Sequence, residues 1–298
     1  MNPPAKLVAF LTLLAAVFGV SYFAGTQSQA LLAPVQIHSS EMVAPADIVE
    51  GYTLSAVQRT QKPGKDVPVE FRVTAPGGQV ISELDEDAGE HMHLIAFRRD
   101  LTGYQHIIAQ QGESSSWWAL LDLTPGPWHV IVYFESTALG REIALATDFM
   151  TSGGYHPEPL PPVADQVQVK GLTVTRSGEL TTSVNSSSAV TVTDHGVPVT
   201  DLQPAHGANG HAVVIRPDDL GYLHMHPSSQ DGVGSAPGGV GSAPGGVGSA
   251  PGGVGSAPGG PRLDFLGGVP AAGSYRLFVD FYRNDKPYVA AFTVQVTR

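Results

Sequence analysis

The chain has 298 residues and a formal net charge of −11, from 27 acidic and 16 basic side chains. This balance leaves no strong basic field of the kind that binds nucleic-acid phosphates, so nucleic acid is not expected as a partner. Cysteine is absent, which excludes disulfides, thiolate metal sites, iron–sulfur clusters and cysteine nucleophiles.

The N-terminal segment predicts membrane attachment. Residues 7–25 form an uncharged, mostly apolar run of 19 residues behind Lys6, and a helix needs roughly 20 such residues to cross the bilayer core. The run exceeds the apolar part of a usual signal peptide, about 7–15 residues, which favours an uncleaved signal anchor. We therefore expect a single-pass protein of the cell membrane, with its C-terminal modules extracytoplasmic. The alternative is a secreted protein, with weak signal cleavage near Ala30.

The rest of the chain contains two copies of one module. Residues 95–106 and 213–224 match at an offset of 118, with Arg, Asp, Gly, Tyr and His at equivalent positions. Further along, 128–134 (WHVIVYF) resembles 275–281 (YRLFVDF) at an offset of 147. The offset grows because GVGSAPG occurs four times in succession over 232–259. That composition cannot bury enough apolar surface to offset its chain entropy, so the insertion is predicted to be disordered.

Each module is predicted to be all-β. Short runs rich in β-branched and aromatic residues, such as HLIAF and HAVVI, are separated by Gly, Pro and Asp turns. Modules of about 105 residues with this pattern suggest immunoglobulin-like β-sandwiches, and a cupredoxin-like Greek-key barrel is the near alternative. The predicted organisation is a transmembrane helix at 1–30, a stalk at 31–45, a first module at 46–150, a Pro-rich linker at 151–165 and a second module at 166–298.

Histidines in the second module predict a metal site. Residues 211–216 and 221–227 are typical of a β-hairpin with a four-residue loop. If Arg216 pairs with Gly221, His211 lies opposite His226, with His224 diagonal to it on the same face. Three imidazoles then converge at one end of the hairpin, which suits a copper or zinc ion. A register slip of one residue would turn His211 to the other face.

The first module predicts a weaker site. His93 and His106 occupy the equivalent positions, but Ile108 replaces the third histidine, and His91 could take its place from the face of His93. A structural role competes with metal binding in both modules. The hairpin face of the second module also carries Val213, Ile215 and Tyr222, which is equally typical of a core face with hydrogen-bonded histidines.

The motifs HMHLIAFRRDLTGYQH and HAVVIRPDDLGYLHMHP resemble a family of predicted bacterial proteins that are secreted or membrane-anchored. The family's His-x-His-Pro motif falls on His224, His226 and Pro227, and its upstream histidine on His211. The resemblance implies β-sandwich domains related to extracytoplasmic copper- or heavy-metal-associated modules, and it implies no reaction. The first module departs from the pattern at Ile108, which argues against metal binding there.

The function predicted from the sequence is metal handling without catalysis. The chain has no Walker loop, no GxGxxG before a helix, no HExxH and no GxSxG, so we expect no enzyme activity. The predicted partners are the membrane and a metal-transport or metal-receiving membrane protein. The alternative function is a cell-surface interaction or adhesion module whose histidines are structural and bind no metal.

Overall fold

The computed structural model describes residues 42, 46–56, 58–81, 84, 92–112, 115–136, 138–183, 186–203, 210–227 and 259–297, with only the backbone described at 226 and 227. The predicted anchor, most of the predicted stalk, His91 and the insertion up to residue 258 lie outside the described residues. Within the described ranges, no helix is both long enough and apolar enough to cross a membrane.

The described chain consists of strands and loops, without an α-helix in the described ranges, which confirms the predicted all-β class. The first ten strands are β1 Ile48–Val49, β2 Tyr52–Ala56, β3 Thr60–Gln61, β4 Gly64–Thr74, β5 His93–Arg98, β6 Gln105–Ile108, β7 Gln110–Gln111, β8 Trp117–Leu123, β9 Gly126–Ser136 and β10 Arg141–Thr151. The other nine are β11 Gln166–Val169, β12 Leu172–Gly178, β13 Ser187–Asp194, β14 Val197–Pro198, β15 His211–Ile215, β16 Tyr222–Pro227, β17 Arg262–Leu266, β18 Gly273–Arg283 and β19 Lys286–Val296.

The first ten strands form two packed sheets. Sheet I has the order β1-β2-β4-β8-β7, and sheet II has the order β3-β10-β9-β5-β6. Successive side chains of a strand point to opposite faces, so each sheet can cover one core with alternate residues. Phe71 and Leu121 of sheet I pack with Leu94 and Val132 of sheet II in that core.

The last nine strands form one long ladder that folds into two layers at β16. The residues of β16 from Tyr222 to Met225 pair with β15, and the last two residues of β16 pair with β17. Layer III is then β16-β15-β18-β19, and layer IV contains β11, β12, β13, β14 and β17. The core between them joins Val214 and Leu277 of layer III to Val192 and Phe265 of layer IV.

A third core joins the two halves of the chain, because sheet II packs against layer III. The side chains that form it come from both halves: Ile95, Phe97, Leu101, Tyr104, Ile131, Tyr133, Ala146, Val213, Ile215, Leu220, Tyr222 and Phe278. Tyr104 stacks on Phe278 across this interface, with ring centroids 4.1 Å apart. The fold therefore places sheets I and II and layers III and IV as four successive layers, with the histidine-bearing strands in the middle.

Candidate functional site

Strand alternation directs the histidines of both halves into the interface between sheet II and layer III. In β5, Leu94 and Ala96 fill the core between sheets I and II, while Ile95 and Phe97 face layer III. In β15, Ala212 and Val214 face layer IV. His93 and His211, the first residues of these two strands, alternate with them and therefore point into the interface.

The hairpin register predicted from the sequence is confirmed. Arg216 donates its backbone N–H to the Gly221 carbonyl at 2.9 Å, and Val213 lies opposite His224. The predicted pairing of His211 with His226 does not form, because the ladder between β15 and β16 ends one residue earlier. At that point β16 crosses to layer IV, where His226 pairs with Leu266.

Four histidines meet in this interface, two from each half of the chain. His93 Nδ1 lies 3.0 Å from His106 Nε2, and His211 Nδ1 lies 3.2 Å from His224 Nε2. The two pairs are in contact, since the ring centroids of His106 and His211 are 5.1 Å apart and those of His93 and His211 are 6.0 Å apart. We call these four side chains the histidine cluster.

Two carboxylates lie beside the outer nitrogens of the cluster, each from the opposite half of the chain. Asp280 Oδ2 lies 2.9 Å from His106 Nδ1, and the two side chains are only 6% and 1% exposed. Glu142 Oε2 lies 3.5 Å from His224 Nδ1. An ionised carboxylate only accepts hydrogen bonds, so His106 donates from Nδ1 and turns Nε2 towards His93. Tyr133 also reaches His106 Nε2, with its hydroxyl at 3.0 Å.

Three tyrosines complete the polar part of the interface. Burial raises the pKa of the phenols of Tyr104, Tyr133 and Tyr222 well above its usual value, and the nearby carboxylates raise it further. The hydroxyls of Tyr104 and Tyr222 are buried without a hydrogen-bond partner among the described atoms. Buried hydroxyls in folded proteins are usually hydrogen-bonded, so these two stand out among the polar groups of the interface.

The structure thus brings together four of the six histidines predicted as metal ligands, but in one shared cluster. His93 and His106 were predicted to form one site and His211 and His224 another. His91 and the His226 side chain lie outside the described residues. Among the side chains that the structure describes, no group of three or more His, Asp or Glu residues is placed to hold a metal ion.

Sequence reasoning missed the acidic partner of the cluster. Asp280 belongs to β18, 174 residues from His106 along the chain, so no local spacing rule connects them. One signal was available, because YRLFVDF places an acid inside an apolar strand, and a fully buried acid is rare unless it is paired. His129, which lies outside the cluster, is also buried and bonds to Asp148 through Nδ1 at 2.8 Å.

A second feature lies on the outer face of sheet I, away from the cluster. A groove of about 450 Å³ is lined by Gln58, Gln61, Pro68, Glu70, Arg72, Gly112, Ser116 and Trp118. Trp117 fills the core below, so strand alternation turns its neighbour Trp118 outwards. The groove therefore combines one indole with amide, hydroxyl and charged side chains.

A family described as a domain of unknown function (DUF8832) matches residues 167–298, which is less than half of the chain. No curated protein matches the sequence. The solved structures that resemble the chain include FdeC, an Escherichia coli adhesin, with 17% identity and a TM-score of 0.26, covering 85% of this chain and 67% of that one.

A Salmonella alpha-2-macroglobulin mutant has 12% identity and a TM-score of 0.25, over 89% of this chain and 16% of that one. The chicken CNTN1 FN1–FN3 domains have 8% identity and a TM-score of 0.21, over 86% of this chain and 68% of that one. At these TM-scores none of the three defines the fold or the function of this chain.

Proposed function

We propose that this protein is a membrane-anchored, extracytoplasmic interaction protein without catalytic activity. Its two immunoglobulin-like β-sandwich modules act as one rigid unit, and the histidine cluster holds that unit together. The N-terminal segment at 1–30 serves as the anchor, and the partner belongs to the space outside the membrane.

The position of the histidine cluster carries this proposal. The four side chains lie between the modules and form hydrogen bonds with protein groups, including Asp280 of the other half. A satisfied polar network inside an interface favours one relative arrangement of the parts that it joins. The central layers are covered by packing, so the outer faces of sheet I and layer IV remain for a partner, and the groove around Trp118 lies on the face of sheet I.

The groove around Trp118 is the surface that we assign to the partner. Only Pro68 and Trp118 give it apolar side chains, whereas Gln58, Glu70 and Arg72 are polar or charged. An apolar peptide would leave these polar groups without partners, which costs binding free energy. An oligosaccharide fits better, because a sugar ring can lie on the indole while its hydroxyls bond to the amides and charges.

Binding of soluble neutral oligosaccharides to the full chain in detergent micelles tests the proposal. Trp118→Ala is expected to weaken binding about tenfold or more, since a buried aromatic contact contributes on the order of 1–2 kcal/mol. Leu120→Ala is the matched control, because Leu120 lies two residues further along the same strand face and is 42% exposed. Absence of oligosaccharide binding, or equal binding by Trp118→Ala and the wild type, would overturn the assignment of the groove.

A further inference from the structure

We propose that the histidine cluster binds a single zinc(II) or copper(II) ion, with ligands from both halves of the chain. This differs from one site in each module, and it neither requires nor excludes the interaction function. The donor atoms, their spacing and their orientation support this site, as do the buried hydroxyls beside them.

The donor set suits these metals. Four imidazoles lie in one buried interface, and neighbouring rings have centroids between 5.1 and 6.0 Å apart. Imidazole nitrogen is a good ligand for both zinc and copper. Burial removes competing solvent from the nitrogens, and the cluster contains no thiolate that would favour another metal.

The spacing within each pair is close to that of two neighbouring metal ligands. The nitrogens are 3.0 Å apart in the pair of His93 and His106 and 3.2 Å apart in the pair of His211 and His224. Two nitrogens bound to a tetrahedral ion at about 2.0–2.1 Å lie roughly 3.3 Å from each other. Each pair therefore consists of two potential metal ligands joined by a hydrogen bond, and its proton occupies the place between the two nitrogens where the ion would bind.

Release of that place needs a change of tautomer and the withdrawal of the Tyr133 hydroxyl from His106 Nε2. His106 keeps its proton on Nδ1, where Asp280 accepts it, and presents the lone pair of Nε2. His93 presents the lone pair of Nδ1 once its proton moves to Nε2, and His211 can do the same. Since the described side chains do not form a ready set of three ligands, binding also requires the two pairs to turn towards a common point.

The surroundings support such an ion. Histidines that bind metals usually donate their other ring N–H to a carboxylate, which fixes the ring orientation. Asp280 stands in that position at 2.9 Å from His106 Nδ1, and Glu142 lies on the same side of His224. The buried hydroxyls of Tyr104 and Tyr222 supply partners for a water molecule carried by the ion.

Calorimetric titration of the full, chelator-treated chain with Zn²⁺ and separately with Cu²⁺ tests this inference. We expect one tight site per chain for at least one of the two metals. The double variant His106→Gln/His224→Gln should lose that site, or bind at least about a hundredfold more weakly. The control His129→Gln/His195→Gln changes two histidines outside the cluster and should retain it.

Several outcomes would overturn the shared site. The titration would do so if neither metal bound saturably, if each chain had two equal sites, or if the double variant kept the site unchanged. If the double variant fails to fold by circular dichroism, the single variants His93→Gln and His211→Gln replace it, and a shared site requires each of them to weaken the same single binding event. Trp118→Ala should leave metal binding unchanged, so failure of this inference is distinguishable from failure of the groove assignment.

Discussion

The hydrogen bond between His106 and Asp280 should couple the two modules energetically. Both side chains are almost fully buried, and the Nδ1–Oδ2 distance is 2.9 Å. A hydrogen bond to a charged group contributes roughly 1.5–3 kcal/mol to stability. Removal of one partner also takes this bond from the other, which stays buried, so each of His106→Leu and Asp280→Ala should cost about 3–5 kcal/mol of unfolding free energy. The double variant should cost less than the sum, with a coupling energy of about 1.5–3 kcal/mol.

Urea unfolding of the full chain in detergent micelles, followed by circular dichroism, gives the four free energies of this cycle. All three tryptophans lie in the first module, so tryptophan fluorescence reports on that module separately. The wild type should unfold in one transition by both probes, because the central core joins the halves. Additive effects within about 0.5 kcal/mol would refute a hydrogen bond between the modules.

Three further changes have predictable signs. Tyr222→Phe should raise the unfolding free energy of the metal-free chain by about 1 kcal/mol, because it removes a buried hydroxyl without a described partner; a loss measured by urea unfolding would show that the hydroxyl is bonded. Phe278→Ala removes the ring that stacks on Tyr104 and should cost about 3–5 kcal/mol in the same assay, whereas a cost below about 1 kcal/mol would contradict close packing. Burial acts to raise the pKa of Asp148, but hydrogen bonds from His129 and Arg99 outweigh it and lower the pKa. The ionised Asp148 carboxylate therefore contributes stability above the unfolded-state pKa of about 3.9, and this contribution is lost as the pH falls through the lowered folded-state pKa. Asp148→Asn should accordingly lower stability at pH 7 and converge with the wild type as the pH falls. A constant difference in stability would contradict this.

Local sequence rules predicted the parts of the fold that depend on neighbouring residues. The all-β class followed from short β-branched runs, and the pairing of Arg216 with Gly221 followed from the length of one loop. Met225 alternates with its flanking histidines and is fully buried between layers III and IV. Each of these inferences spans no more than a few residues of chain.

The meeting of the two modules could not be derived in the same way. Alternation shows that a strand has two faces, but it does not show what covers each face. One signal was present in β15, where all five residues of HAVVI are buried, because a continuous apolar run is typical of a strand covered on both sides. That run indicated a second covering layer without identifying it as the other copy of the module.

The internal repeat explains why histidines from both copies meet at one place. The equivalent faces of the two copies pack on each other, so residues at equivalent positions enter the interface from both sides. His93 and His106 are equivalent to His211 and His224 at the offset of 118, and Tyr104 is equivalent to Tyr222. Duplication of a strand pair with two histidines therefore yields four in the interface.

The symmetry is broken at one pair of positions that matters for the chemistry. At the offset of 147, Tyr133 of the first copy is equivalent to Asp280 of the second. His106 consequently bonds to a carboxylate, whereas His224 faces the Tyr133 ring, with centroids 5.1 Å apart. A histidine oriented by a buried carboxylate is the stronger electron donor.

If the cluster binds a metal ion, His106 should be its dominant ligand. Asp280→Asn should then weaken metal binding more than Glu142→Gln, because Glu142 is further from its histidine, at 3.5 Å. Equal losses in a zinc titration of the two variants would contradict this asymmetry.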